Sequence, residues 1–274
     1  MTQTVDVDSY FKRIGYDGSR AATLEVLLDI VRLHTQTIPF ENLNPLGRLP
    51  VNLTADALQR KLIEQRRGGY CFEQNSLLSI VLRQLGYSVA GLAARVVWNK
   101  PPDAPTPPRT HMLLRVELEG ESHIVDVGFG GMTLTGVLRF VPDIEQSTPH
   151  DPFRFIRDGD TYTMQASVRS EWRSMYRFDV QEQAAADYEL MSWYTSTHPT
   201  SLFLQNLIVA RTAPGHRYAL LNDEFTTHHL RGASERRKVT SARELRELME
   251  EVFLIQVPQE AAIAAALQRV LQNT

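Results

Sequence analysis

The hydrophobic period of this chain changes sharply at Gly86, and that change excludes most folds. Upstream, apolar residues recur at helical spacing: Leu24, Leu27, Leu28 and Val31, then Leu58 and Leu62 behind a Thr54 able to cap a helix, then Leu77, Leu78, Val81, Leu82 and Leu85. Gly86 can take the left-handed conformation that stops the last helix. Downstream, residues 88–98 are rich in valine and read as a buried strand. Residues 100–108 hold five prolines in nine positions and read as a loop. Residues 110–119 read as a strand that Gly120 and Glu121 could turn into another at 123–127, and strands at 133–140, 161–168 and 172–180 follow. The last third is mixed. It has a helical stretch at 184–194, strands at 203–210, 217–221 and 225–230, and helices at 241–253 and 258–271, the last with Pro258 in its first turn. The pattern predicts an α+β fold: a helical bundle over residues 1–86, an antiparallel β-barrel over 87–183 and an α/β segment over 184–274.

The 274 residues carry a formal charge of only -3, which offers no electrostatic footprint for nucleic acid or a membrane surface. No apolar run approaches the roughly 20 residues of a membrane span. The first ten residues are polar and acidic, unlike a secretory signal, so the expected location is the cytoplasm. A single cysteine, Cys71, excludes an intrachain disulfide and any cysteine-based metal cluster.

A lone intracellular cysteine is usually a small buried hydrophobe. The neighbours of Cys71 change those odds, although by themselves they leave open a structural Gly-Gly turn with a buried cysteine. Gly68 and Gly69 let the backbone turn sharply, and the predicted helix begins at or just before Cys71. A thiol there meets the positive end of the helix dipole and free backbone N–H groups, which favour the reactive thiolate and could hold an oxyanion. Arg67 adds positive charge. Such a nucleophile needs a base and an orienting partner. His111 and Asp126 both interrupt apolar strand segments, where an unpaired polar group is costly. A two-residue turn at Gly120 and Glu121 would, however, set Arg115 rather than His111 opposite Asp126. The spacing alone therefore leaves the triad open. The glycines of residues 126–131 could cradle phosphate or simply form a β-turn. His34 lies near a helix end, where a cation suits the dipole; His228 and His229 are adjacent and make a poor chelate; His198 sits in a turn before Pro199. No metal site is expected.

These stretches together resemble the arylamine N-acetyltransferases: YFKRIGY at 10–16, IPFENL at 38–43, RGGYCFE at 67–73, RVVW at 95–98, Thr110-His111, VDVGFGG at 125–131 and WYTSTHP at 193–199. The resemblance loosens after about residue 210. It implies a Cys71, His111 and Asp126 triad on a helical bundle, β-barrel and α/β lid whose first two parts resemble the core of papain-like cysteine proteases. It implies an acceptor pocket at Phe40, Val96, Phe129 and Phe203, contacts to the cosubstrate at Thr110, Gly128, Gly130 and Gly131, and a supporting Arg67–Glu41 pair. The implied partners are acetyl-coenzyme A as cosubstrate and small aromatic amines or hydrazines, with no permanently bound cofactor and with a homodimer allowed. A cysteine hydrolase or amidase, an amide synthase using the same three residues and a binding module without chemistry are the rivals.

Overall fold

The computed structural model describes residues 4–101 and 103–272; Pro102 of the proline-rich loop and the ends of the chain, 1–3 and 273–274, lie outside the described residues. The α+β class holds. Helix Val7–Ile14 starts where the Asp6 carboxylate accepts the N–H groups of Asp8 and Ser9, and stops at Gly15 with φ 72°. Helix Leu24–Thr37 is capped by the Thr23 hydroxyl. Helix Cys71–Gln84 ends before Gly86, at φ 92°. These helices share a core built from Tyr10, Leu27, Ile30, Leu58, Phe72, Leu78 and Val81. Thr54 stands at the N-cap position of helix Ala55–Leu58, but its side chain makes no capping bond. That helix then widens into a π-helix, Gln59–Glu64, which carries Lys61.

His34 departs from its expected role. It is fully buried, 2.8 Å from the Tyr10 hydroxyl and 2.7 Å from Gln74 Oε1. Burial lowers its pKa from 6.5 to about 4, despite the Gln74 hydrogen bond, so it is a neutral core group and no helix-end cation. The unfolded chain takes up a proton that the folded chain refuses, so stability falls as pH drops from 6.5 through 4, by about 3 kcal/mol in total. His34→Gln is expected to flatten the slope of unfolding free energy across that window; an unchanged slope would contradict this account.

Seven strands form one antiparallel sheet, in the order Leu138–Arg139, Glu121–Val125, His111–Leu118, Ser88–Val96, Glu171–Glu182, Thr161–Val168 and Phe153–Asp158. Gln146 nearly closes it into a barrel. Its side-chain amide bonds both the N–H and the C=O of Arg139 on one edge, and its backbone bridges Phe153 on the other. The enclosed core holds Leu92, Leu113, Ile124, Phe153, Phe155 and Tyr176. The hairpin after His111–Leu118 turns at Glu119 and Gly120, with φ 54° and 82°, one residue earlier than expected. Only Leu138–Arg139 of the expected strand at 133–140 pairs.

A second antiparallel sheet runs Phe40–Glu41, Ile208–Ala213, His216–Leu221, Glu224–His229 and Glu235–Lys238. Helices Ala242–Glu251 and Ala261–Gln272 contribute Leu245, Leu248, Ile263 and Leu267 to the core beneath it. The expected strand at 203–210 is instead a short helix, Leu202–Gln205, capped by the Ser201 hydroxyl, followed by the strand from Ile208. Pro258 lies outside the last helix, which starts at Ala261. Phe40 pairs with Ala210, so the N-terminal half supplies an edge strand to the C-terminal sheet. Among the described residues, no helix is long and apolar enough to cross a membrane.

Candidate active site

Cys71 is the first residue of its helix, and Tyr70 before it is extended, with φ -96° and ψ -175°. The Gly68-Gly69 turn is required by packing: a Cβ on Gly68 would lie 2.1 Å from the Pro39 carbonyl oxygen. The thiol is 3% exposed and donates to the Thr110 carbonyl at 3.5 Å. The Cys71 sulfur is also near enough to the His111 imidazole to help raise its pKa. On its other side, His111 Nε2 lies 2.7 Å from Asp126 Oδ2. A carboxylate only accepts, so Nε2 carries a proton and Nδ1 is left to the thiol.

The register explains how the two residues meet. With the turn at Glu119-Gly120, Leu114 pairs with Val125, which sets Leu113 rather than Arg115 opposite Asp126. His111 is then a diagonal neighbour on the same face, within reach of a side chain. The strand ends at Val125, so Asp126 is free to lean towards the imidazole. Asn75, one turn after Cys71, holds Asp126 in place. Its amide donates to Asp126 Oδ1 at 3.1 Å and to the Met112 carbonyl at 2.8 Å, and its oxygen accepts from Val127 N–H at 3.1 Å. Gly128 N–H adds a second bond to Oδ1 at 3.0 Å.

Burial disfavours the charged imidazole, but the Asp126 carboxylate and the Cys71 sulfur outweigh it and raise the His111 pKa. Asp126 moves the opposite way: burial would raise its pKa, and His111, Gly128 and Asn75 bring it down. A thiol, an imidazole able to hold a proton and an oriented carboxylate, in that sequence, can form and discharge an acyl-sulfur bond.

Aromatic rings pack on His111 and on Tyr70, the residue before Cys71. Phe129 stands edge-on to His111 at 5.3 Å and to Trp98 at 6.3 Å. Phe40 and Phe203 meet at 5.9 Å, and Phe203 also packs on Tyr70 at 5.5 Å. Val96 pairs across the sheet with Tyr176, whose ring lies 4.8 Å from that of His111. Of the four expected pocket residues, Phe129 packs on His111 itself, Val96 pairs with the Tyr176 that packs on it, and Phe203, with Phe40 against it, packs on Tyr70 next to Cys71. The glycine loop is arranged differently from a phosphate cradle. Gly128 packs so tightly on the nucleophile's helix that a Cβ there would lie 2.6 Å from Cys71 Cα. Its N–H is taken by Asp126, and that of Gly130 by the Thr133 hydroxyl at 2.8 Å. Gly131 faces open space.

Beneath the site, Arg67 bonds Glu41 Oε1 through Nε at 2.8 Å and Nη2 at 2.6 Å, as expected. Lys61, carried by the π-helix, joins this pair, 2.7 Å from Glu73 Oε1 and 3.6 Å from Glu41 Oε1. Burial raises the pKa of Glu73 in spite of Lys61, whereas for Glu41 the burial cost is outweighed by Arg67 and Lys61, and its pKa falls. Sequence reasoning missed Asn75, Lys61, Glu73, Gln74 and Tyr176. A polar run at the start of an otherwise apolar helix, Glu73-Gln74-Asn75, was the available signal for three of them.

Such an arrangement is chemically able to support thiol-dependent acyl transfer or hydrolysis. The family model for N-acetyltransferases matches residues 23–262. An arylamine N-acetyltransferase of Mycobacterium tuberculosis is 43% identical over 256 residues, covering 92% of this chain and 90% of the relative. The structure of the Mycobacterium marinum arylamine N-acetyltransferase superposes with a TM-score of 0.94 at 42% identity, covering 97% of this chain and 100% of that one. The same enzyme in complex with CoA gives 0.93 at 42% identity, covering 97% and 99%. The chain belongs to the arylamine N-acetyltransferase family.

Proposed function

We propose that this chain moves an acetyl group from acetyl-coenzyme A to the nitrogen of an arylamine or arylhydrazine through an acetyl-Cys71 thioester. The observation that carries the reading is the buried His111–Asp126 pair, bonded at 2.7 Å through Nε2, with the buried Cys71 beside it at the start of its helix, so that Nδ1 is free to take the thiol proton. His111 takes the thiol proton, and the sulfur attacks the thioester carbonyl of the donor. N–H groups of the first helical turn, Cys71 included, hold the oxyanion. The carbon–sulfur bond to coenzyme A breaks, and the leaving thiolate recovers the proton from His111. One thioester replaces another, so this step is nearly balanced and reversible. The amine then attacks acetyl-Cys71, His111 accepts its proton, and the Cys71 sulfur leaves and is reprotonated. Amide formation drives the cycle forward.

Phe40, Val96, Phe129 and Phe203 would form the apolar walls for the aromatic acceptor and keep water from the thioester. Thr110, Gly128, Gly130 and Gly131 would border the donor's approach, with Gly128 chiefly allowing the close fit to Cys71. A helical part at 1–86 would supply the nucleophile, a barrel at 87–183 the base and its orienter, and the segment at 184–274 a cover. Every group used lies in one chain, so a homodimer would add nothing to the chemistry. The donor suits a cytoplasmic setting. The complex of the Mycobacterium marinum enzyme with CoA supports the choice of donor.

Initial velocities with both substrates varied test the scheme. Parallel double-reciprocal lines are expected for a ping-pong reaction. Intersecting lines would require both substrates to be bound together and would rule out a free acetyl-enzyme. Steady coenzyme A release without any amine would instead favour the hydrolase reading.

A further inference from the structure

Gln74 is fully buried on the helix that opens with Cys71. Its carboxamide nitrogen lies 2.7 Å from the Pro39 carbonyl oxygen, 3.2 Å from that of Gly69 and 3.3 Å from that of Ile38. Its oxygen lies 2.7 Å from His34 Nε2. An amide oxygen only accepts, so Nε2 of His34 carries the proton, and Nδ1 accepts from the Tyr10 hydroxyl at 2.8 Å. The donors therefore all point one way, from Tyr10 to His34 to Gln74 to the carbonyls. A flipped amide would set its oxygen against three carbonyl oxygens and its NH2 against an N–H. This relay ties the helices of Tyr10 and His34 to the two backbone stretches that flank the site. One stretch, residues 38–40, delivers Phe40; the other, residues 69–71, delivers Cys71. They are also stitched directly, through Gly69 N–H to the Pro39 carbonyl at 3.2 Å and Glu41 N–H to the Gly69 carbonyl at 3.1 Å.

We propose that Gln74, oriented by His34 and Tyr10, is a positioning residue that sets the distance between the acceptor wall at Phe40 and the nucleophile at Cys71. The inference rests on the acetyl-transfer reading above and on Phe40 lining the acceptor pocket. None of the hydrogen bonds of Gln74, His34 or Tyr10 goes to Cys71, His111 or Asp126. The first turn of the helix has its own anchors, Glu73 accepting from Tyr70 N–H at 3.2 Å and Asn75 bonded to Asp126. Loosening the relay therefore shifts the wall more than it shifts the triad. The half-reaction that uses the amine suffers, and the half-reaction that loads the sulfur is spared.

Gln74→Met, which keeps the length and volume but removes the donors and the acceptor, separates the two steps. Loading is followed by intact mass after mixing with acetyl-coenzyme A, and discharge is followed against arylamine concentration. Loading is expected to stay within about threefold of wild type, while the amine concentration for half-maximal discharge rises by about tenfold or more. Tyr10→Phe, one atom removed at the far end of the relay, is expected to shift it in the same direction by about two- to threefold; it carries the test alone if Gln74→Met fails to fold. Equal losses in both half-reactions, or unchanged discharge in folded variants, would make the relay merely structural and overturn the proposal. If wild type forms no acetyl-Cys71, the acetyl-transfer reading fails first and the inference falls with it.

Discussion

Cys71→Ser is expected to lower amide formation by about four orders of magnitude or more with little change in thermal stability. The exchange is nearly isosteric, and the site is a buried one whose hydrogen bond to the Thr110 carbonyl a hydroxyl can also make. A hydroxyl, however, holds its proton far more firmly than a thiol, so in a site built for a thiolate His111 activates it far less. An acetyl-serine ester would also be a poorer acyl donor to an amine than a thioester. Rates of arylamine acetylation, paired with melting curves, check both halves of the claim. Retained turnover would remove Cys71 from the mechanism.

Asp126→Asn should cost about three to four orders of magnitude in rate, and the structure says by which route. Asp126 Oδ1 accepts from the Asn75 amide and from Gly128 N–H. Both partners are donors, so the asparagine oxygen stays with them and its NH2 turns to His111. Nε2 must then accept, and the proton moves to Nδ1, where it faces the thiol and cannot take a proton from it. The variant also loses the charge that raises the His111 pKa, so that pKa should fall and the pH profile should shift with it. Rates near wild type would make Asp126 structural only.

The sequence carried the fold class because periodicity is local: helices before Gly86, short strands after it, and helices at the end. It failed where tertiary context decides. The run around Phe203 has strand-like composition, but the Ser201 cap turns it into a helix. Phe40–Glu41 shows no strand signal of its own length, and its pairing with Ile208–Ala213 is non-local. The resemblance to a known family named the triad, whereas spacing alone set Arg115 opposite Asp126. A turn earlier by one residue slides the register by two, and that shift brings His111 within reach. The polar layer under the nucleophile was invisible for a different reason. Gln74 and Asn75 look like surface residues in sequence, and only burial shows them to be satisfied interior groups, while the half-buried Lys61 reaches inward to Glu73.

The central claim is a covalent acetyl group on Cys71, and intact mass after mixing the protein with acetyl-coenzyme A alone tests it most directly. One acetyl adduct is expected on wild type, none on Cys71→Ala, and an added arylamine should discharge it. An adduct that persists in Cys71→Ala, or wild type that stays unmodified while coenzyme A is released, would contradict it.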